Sequence, residues 1–252
     1  MKKILTLVCG IVFAAQCSFV AAQSAMMKVW KGGSVTAEYN DADVDSVTLE
    51  ATNKQDLGGG EYLINGHKFV DLDLPSGLLW AETNIGAETI TDHGDYFAWG
   101  ETSPKDVYSW ETYTHGTSAE NLTKYNSNDG KTVLGKKDDA AYVNWGSPCR
   151  MPTSEEINEL INNCVWEWKG TTNSSSETRL VFWKVTSKTN GNSILFPLPV
   201  NEDGEFMAGD FWSSTLFLEN ISSAYGSHLT MVNANVPLYR CEGCAIRPVT
   251  ER

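Results

Sequence analysis

Two cysteines, Cys241 and Cys244, are separated by Glu242 and Gly243, and this is the one spacing in the chain that resembles redox machinery. A reactive pair of that kind needs a helix directly after it, because the helix N-terminus stabilises the thiolate. The next residues here are Ala245-Ile246-Arg247-Pro248-Val249, which read as a terminal strand. The pair is therefore read as structural. The four histidines, His67, His93, His115 and His228, are scattered, and none falls at a zinc-binding spacing. No G-x-S-x-G turn is present, and no two carboxylates can be placed across a substrate from sequence. Gly130-Lys131-Thr132 resembles the end of a phosphate loop, but the first glycine of that motif would fall at Tyr125. Asp41, Asp43 and Asp45 suggest a calcium loop, yet Ser46 and Thr52 stand where its glycine and glutamate belong. These residues point to a non-enzymatic protein with no cofactor. Calcium is compatible with the acidic loops but supported by no motif.

The element best placed to position anything is a helix beginning at Thr153. Thr153 is a good N-cap, and Glu156 three residues later completes a capping box. Glu155 and Glu156 place negative charge where the helix dipole favours it. Ile157, Leu160, Ile161 and Cys164 recur at helical spacing, so one face must pack on a core. Pro152 biases Met151 towards extended backbone, so the residues before the helix read as strand or loop, with Trp145 and Met151 available to the core. Upstream, Tyr62–Ile64, Asn65-Gly66 and His67–Leu72 form a hairpin with a strong two-residue turn. Leu78–Ala81 is another short strand. Downstream, strand-like runs cover 180–186, 193–198, 211–216, 223–232 and 245–249. A helix followed by antiparallel strands is an α+β pattern. Gly94–Tyr113 is dense in aromatics, most of which are read as core. Thr114–Lys137 is polar and reads as a long surface loop.

Several of these segments carry a family resemblance. W-G-S-P-C-R-M-P-T-S-E-E-I-N-E-L-I, from Trp145 to Ile161, resembles the signature of the Fibrobacter succinogenes major paralogous domain family, found largely in Bacteroidetes. The likeness continues in Phe69–Ala87, Gly94–Trp110, Asp210–Thr215 and Ile246–Val249, in the expected order, and covers residues 61–250. It implies a C-type-lectin-like fold and little about biochemistry. At Glu82-Thr83 the family pattern would have Thr-Cys, which leaves open whether Cys164 has a partner. Arg150–Glu156 is also similar to the Arg-Leu-Pro-Thr-x-x-Glu motif of formylglycine-generating enzymes, which share that fold. Their C-terminal cysteines have four intervening residues where Cys241 and Cys244 have two, so the segment is read as a fold signature. In it, Arg150 and the capping box would hold the helix against the sheet. Calcium-dependent sugar binding in such folds relies on Glu-Pro-Asn or Gln-Pro-Asp followed by Trp-Asn-Asp, and none of these occurs here. The corresponding loop would be Pro199–Asp210. Its Asn201, Glu202, Asp203, Glu205 and Asp210, together with Trp110, are the candidate ligand-binding residues. A solvated acidic loop is the plainer reading of the same cluster.

Lys2 and Lys3, the apolar run Ile4–Ala15 and Val20-Ala21-Ala22 read as a secretory signal with cleavage before Gln23. Lipidation is disfavoured, because Val8 and Gln16 precede Cys9 and Cys17 where a small residue is needed. The full chain of 252 residues carries a net charge of −13. Removing Lys2 and Lys3 leaves 17 basic against 32 acidic residues, a net of −15. Such a chain repels phosphates and anionic lipid, which makes nucleic acid and membrane surfaces poor partners for it. Cys149, Cys164, Cys241 and Cys244 remain, and export suggests disulfides with the pairing open. Cys149, Cys241 and Cys244 are the candidate disulfide residues, and Cys164 on the apolar helix face would also suit a free thiol. The expected organisation is a signal at 1–22, a short β-hairpin extension at 23–52, a linker at 53–60 and a C-type-lectin-like domain at 61–252. The expected function is an exported binding module of the cell envelope or surface, recognising a glycan or a protein. A formylglycine-generating oxidase and a structural component of a surface assembly are the alternatives.

Overall fold

A computed structural model of the chain describes residues 26–31, 34–40, 53–170, 181–199, 209–229 and 232–252. The chain divides into two compact units, Met1–Glu50 and Ala51–Arg252. In the first, β1 (Met26–Lys31) and β2 (Ser34–Asn40) pair antiparallel, in keeping with the hairpin expected there. The signal segment, the triad Asp41, Asp43 and Asp45, and the third strand expected over 43–49 lie outside the described residues.

The second unit opens with four antiparallel strands, β3 (Lys54–Gly58), β4 (Glu61–Ile64), β5 (His67–Asp71) and β6 (Leu79–Ala81). This corrects the linker expected at 53–60. Lys54–Gly58 are exposed throughout, so their composition carries no apolar alternation, yet their backbone forms the edge of a sheet. Between β4 and β5, Asn65 and Gly66 both have positive φ, 51° and 87°, as an Asn-Gly turn requires. The Asn65 amide donates to the carbonyls of Trp145 and Ser147, both at 2.9 Å, and His67 stacks on the Trp145 ring at 3.7 Å.

The polar stretch beyond β6 holds a small ribbon, β7 (Gly116–Ser118) with β8 (Asn121–Leu122). Helix α1 (Ala140–Trp145) comes next, where sequence suggested strand or loop. Asp139 caps it, accepting from the Tyr142 amide at 3.0 Å. Helix α2 (Ser154–Asn163) has both halves of its capping box. Thr153 Oγ1 accepts from the Glu156 amide at 3.3 Å, and Glu156 Oε2 accepts from the Thr153 amide at 2.8 Å. The same carboxylate receives both arms of the Arg150 guanidinium, at 2.7 and 2.6 Å. Ile157 and Leu160 bury into the core. Cys164 does not continue the helix. It opens β9 (Cys164–Gly170), because Cys-Val-Trp favours extended backbone once the two asparagines have ended the turn.

Strands β10 (Val181–Ser187) and β11 (Ser193–Pro197) join β9 in a sheet of order β11-β10-β9. Strands β12 (Asp210–Leu216), β13 (Ser223–His228) and β14 (Asn233–Tyr239) form a second three-stranded sheet. The strand expected over 223–232 therefore stops at His228, with β14 lying beyond it. Finally β15 (Val249–Thr250) pairs with β6, completing the order β15-β6-β5-β4-β3. The described residues of the second unit are mostly β with two short α-helices, an α+β arrangement.

Two large apolar clusters hold this unit together. One contains Phe69, Trp99, Met151, Trp212 and Ile246, and the other Leu72, Trp80, Leu160, Val185 and Phe211. Each such side chain contributes about 1.5–3 kcal/mol on burial. Two arginines are buried among them. Arg247 donates to Asn84 Oδ1 and to the carbonyls of Ala81, Glu82 and Leu195, between 2.7 and 3.1 Å. Burial pushes its pKa down to about 9. Arg240 donates to the Tyr113 hydroxyl and to the carbonyls of Lys124, Tyr125 and Ile221. These bonds tie distant loops to the C-terminal segment.

Candidate functional site

Trp110 sits in a satellite cluster with Ala98, Tyr108, Tyr113, Leu122 and Cys241. The segment carrying it is tightly anchored. The Tyr113 hydroxyl donates to the Trp99 carbonyl at 2.7 Å and accepts from Arg240 Nε at 3.0 Å. Lys105 pairs with Glu101 at 2.7 Å and donates to the Thr112 carbonyl at 2.9 Å. The Tyr108 hydroxyl donates to the Tyr96 carbonyl. On this base the half-buried Trp110 ring packs edge-on against Tyr113 at 5.6 Å and Tyr239 at 6.3 Å. Tyr239 itself is 51% exposed. An aromatic surface held by rigid elements is suited to binding, because little side-chain freedom remains to be lost. The core reading holds for Phe97, Trp99 and Tyr113, while Tyr96, Tyr108 and Trp110 stay half-buried.

Asp210 begins β12 and is the register partner of His228 across the sheet. Its Oδ1 lies 2.5 Å from His228 Nδ1, within hydrogen-bonding reach. Its charge also acts on Tyr96 and Glu242. Desolvation first, and the Asp210 charge second, push the Glu242 carboxyl up. Asp210 is therefore engaged by histidine rather than presented as a free oxygen ligand. It connects to the Trp110 cluster through the turn Cys241–Cys244, because the Ala245 amide that follows donates to the Asp210 carbonyl at 3.1 Å and Cys241 packs with Trp110. The other expected loop residues, Asn201, Glu202, Asp203 and Glu205, lie outside the described residues. Among the described residues, no three His, Cys, Asp or Glu side chains are grouped to hold a metal ion.

The expected bridges from Cys149, Cys241 and Cys244 are not formed. All four described cysteines are free and buried. Cys149 and Cys244 share one apolar cluster, while Cys164 and Cys241 lie in two others. Burial pushes the Cys149 and Cys164 thiols up to about 11, and raises those of Cys241 and Cys244 as well. No helix succeeds Cys244, whose backbone instead bridges Phe97.

A groove of about 280 Å³ is lined by Lys136, Asp139, Tyr142, Cys149 and Arg150, among others. Its best-placed charges are already committed, Arg150 to Glu156 and Asp139 to backbone amides. A second aromatic set, Trp166, Trp168 and Trp183, lies on β9 and β10, with the Trp183 indole donating to the Leu229 carbonyl at 2.8 Å. Sequence reasoning missed Tyr239 because β14 was not recognised. The alternation Asn-Ala-Asn-Val-Pro-Leu-Tyr is the signal that would have found it. Comparison with family models, with characterised proteins and with solved structures finds no match for this chain. Among the described residues, no helix is long and apolar enough to cross a membrane.

Proposed function

We propose that the chain is an exported, non-enzymatic binding module with a C-type-lectin-like fold, of the kind found in the Fibrobacter succinogenes major paralogous domain family, and that it recognises a glycan or protein at the cell envelope or surface. The observation that carries this reading is the rigid aromatic surface of Trp110 and Tyr239. It lies beside the turn Cys241–Cys244, after which the Ala245 amide donates to the Asp210 carbonyl at 3.1 Å. The capped α2 followed by antiparallel strands supports the fold assignment, and the Arg150–Glu156 fork supports a structural role for the shared motif. Buried thiols with raised pKa favour a binding role over an oxidase that would need a reactive cysteine.

The test is a glycan-array screen of residues 23–252 with calcium and with a chelator. Binding that survives the chelator supports recognition through the aromatic surface. Binding lost in the chelator points instead to the acidic loop residues Glu202, Asp203 and Glu205. Absence of any glycan binding removes the glycan half of the reading and leaves a protein ligand.

A further inference from the structure

We propose that the outward face of the β13–β14 ribbon, with Trp110 at one end, binds an extended neutral glycan by stacking sugar rings on aromatic side chains. This rests on the binding reading above and names its ligand class. Along β14, Asn233, Asn235, Pro237 and Tyr239 are exposed, while Ala234, Val236 and Leu238 turn inward. The register pairs Tyr239 with Ser223 and Pro237 with Tyr225. Tyr239, Pro237 and the half-buried Tyr225 therefore share the outward face, while Ser223 on the same side is covered. Tyr239 and Tyr225 are diagonal neighbours, on the order of 7–8 Å apart, so they can receive neighbouring rings of one chain. Beyond Tyr239 lies Trp110, at 6.3 Å. Beyond Tyr225 lies Phe217, at 5.2 Å, whose amide donates to the Ser223 carbonyl at 3.1 Å. Exposed Leu218 comes directly after it. Two aromatic pairs, Trp110–Tyr239 and Phe217–Tyr225, are thus joined across the paired strands by the Tyr239–Tyr225 diagonal.

The chemistry of this face selects the ligand. Asn233, Asn235, Pro237, Tyr239 and Tyr225 offer amides, a hydroxyl-bearing ring surface and no charged group, and His228 opposite Asn233 is already engaged by Asp210. Amides and hydroxyls hydrogen-bond sugar hydroxyls, while ring faces cover the apolar faces of the pyranose. The net charge of −13 repels anionic chains, and none of these five side chains offers a carboxylate to a cationic one.

Affinity electrophoresis of the purified protein tests this, in native gels containing a soluble cellulose derivative, xylan, mannan or polygalacturonate. Retardation by at least one neutral polysaccharide and none by polygalacturonate is expected. Tyr239→Ala should weaken that retardation about tenfold, the loss of one aromatic contact at a binding surface. Tyr239→Phe keeps the ring and should restore it, and Pro237→Glu, which charges the face, should weaken it. Leu57→Ala on β3 should leave it unchanged. Retardation by polygalacturonate alone, or by a neutral chain that Tyr239→Ala and Pro237→Glu leave intact, overturns this inference while the broader binding reading stands. No retardation in any gel, together with no glycan bound on the array, overturns both this inference and the glycan half of that reading.

Discussion

Asp139 offers the sharpest test of how the unit is assembled. This residue is 5% exposed and its carboxylate serves two elements at once. Oδ1 caps α1 through the Tyr142 amide at 3.0 Å, and both oxygens accept from the Met151 amide, at 3.1 and 2.9 Å. Met151 is itself buried and directly precedes the Pro152-Thr153 entry to α2. Replacing Asp139 by Ala removes a cap, at about 0.5–2 kcal/mol. It also leaves the buried Met151 amide unpaired, at about 1–3 kcal/mol. We expect a total loss of about 2–5 kcal/mol, seen as a lower urea midpoint at constant slope. Asp139→Asn keeps one acceptor oxygen and should lose only about 1 kcal/mol at neutral pH. The two variants also separate by pH. Desolvation raises the Asp139 pKa above its ordinary value of 3.8. Between the unfolded and folded values the folded state holds more protons, so this group's contribution is full below about pH 3.8 and is lost as pH rises through the folded pKa. D139N cannot ionise and lacks that slope. The stability of the wild type relative to D139N should therefore fall as pH rises from about 4 and then level off. An Asp139→Ala protein within about 1 kcal/mol of the wild type would refute the bridging role. Equal losses in D139A and D139N at neutral pH would show that the charge, rather than the acceptor geometry, holds the two elements.

The core and the helix set three further outcomes. Thr153→Ala should cost about 1 kcal/mol in chemical denaturation, while Glu156→Ala should cost about 2 kcal/mol because it also strands the Arg150 fork. An equal effect of the two would remove the fork from the account. Leu160→Ala, at a site 2% exposed, should cost about 2–5 kcal/mol by opening a cavity among apolar neighbours, and a thermal midpoint unchanged from the wild type would contradict its place in the core. Cys149, Cys164, Cys241 and Cys244 should resist alkylation in the folded protein at mildly alkaline pH and react on denaturation without reductant, as peptide mapping can show. Recovery of any of them as a disulfide-linked peptide would overturn the free-thiol assignment.

Local chemistry made part of this protein legible from its sequence. The α2 capping box is set by residues three apart, and the Asn65-Gly66 turn by two adjacent residues, so both could be read directly. The core strands β10 and β12 were likewise visible, because they are rich in β-branched and aromatic residues. Other features depend on partners far away in the chain. Lys54–Gly58 became a strand because β4 offered a free edge, which their own exposed residues do not announce. Cys164 sits on the helical apolar periodicity, and the local extended preference of Cys-Val-Trp is realised only in pairing with β10. Arg247 and Arg240 look like surface residues in sequence, and only the converging carbonyls of remote loops make their burial tolerable. Trp110 could be singled out by type and Tyr239 by the alternation of its strand, but their pairing could not. A binding surface is a set of residues joined across strands, and that joining is decided by sheet register, which no single segment encodes.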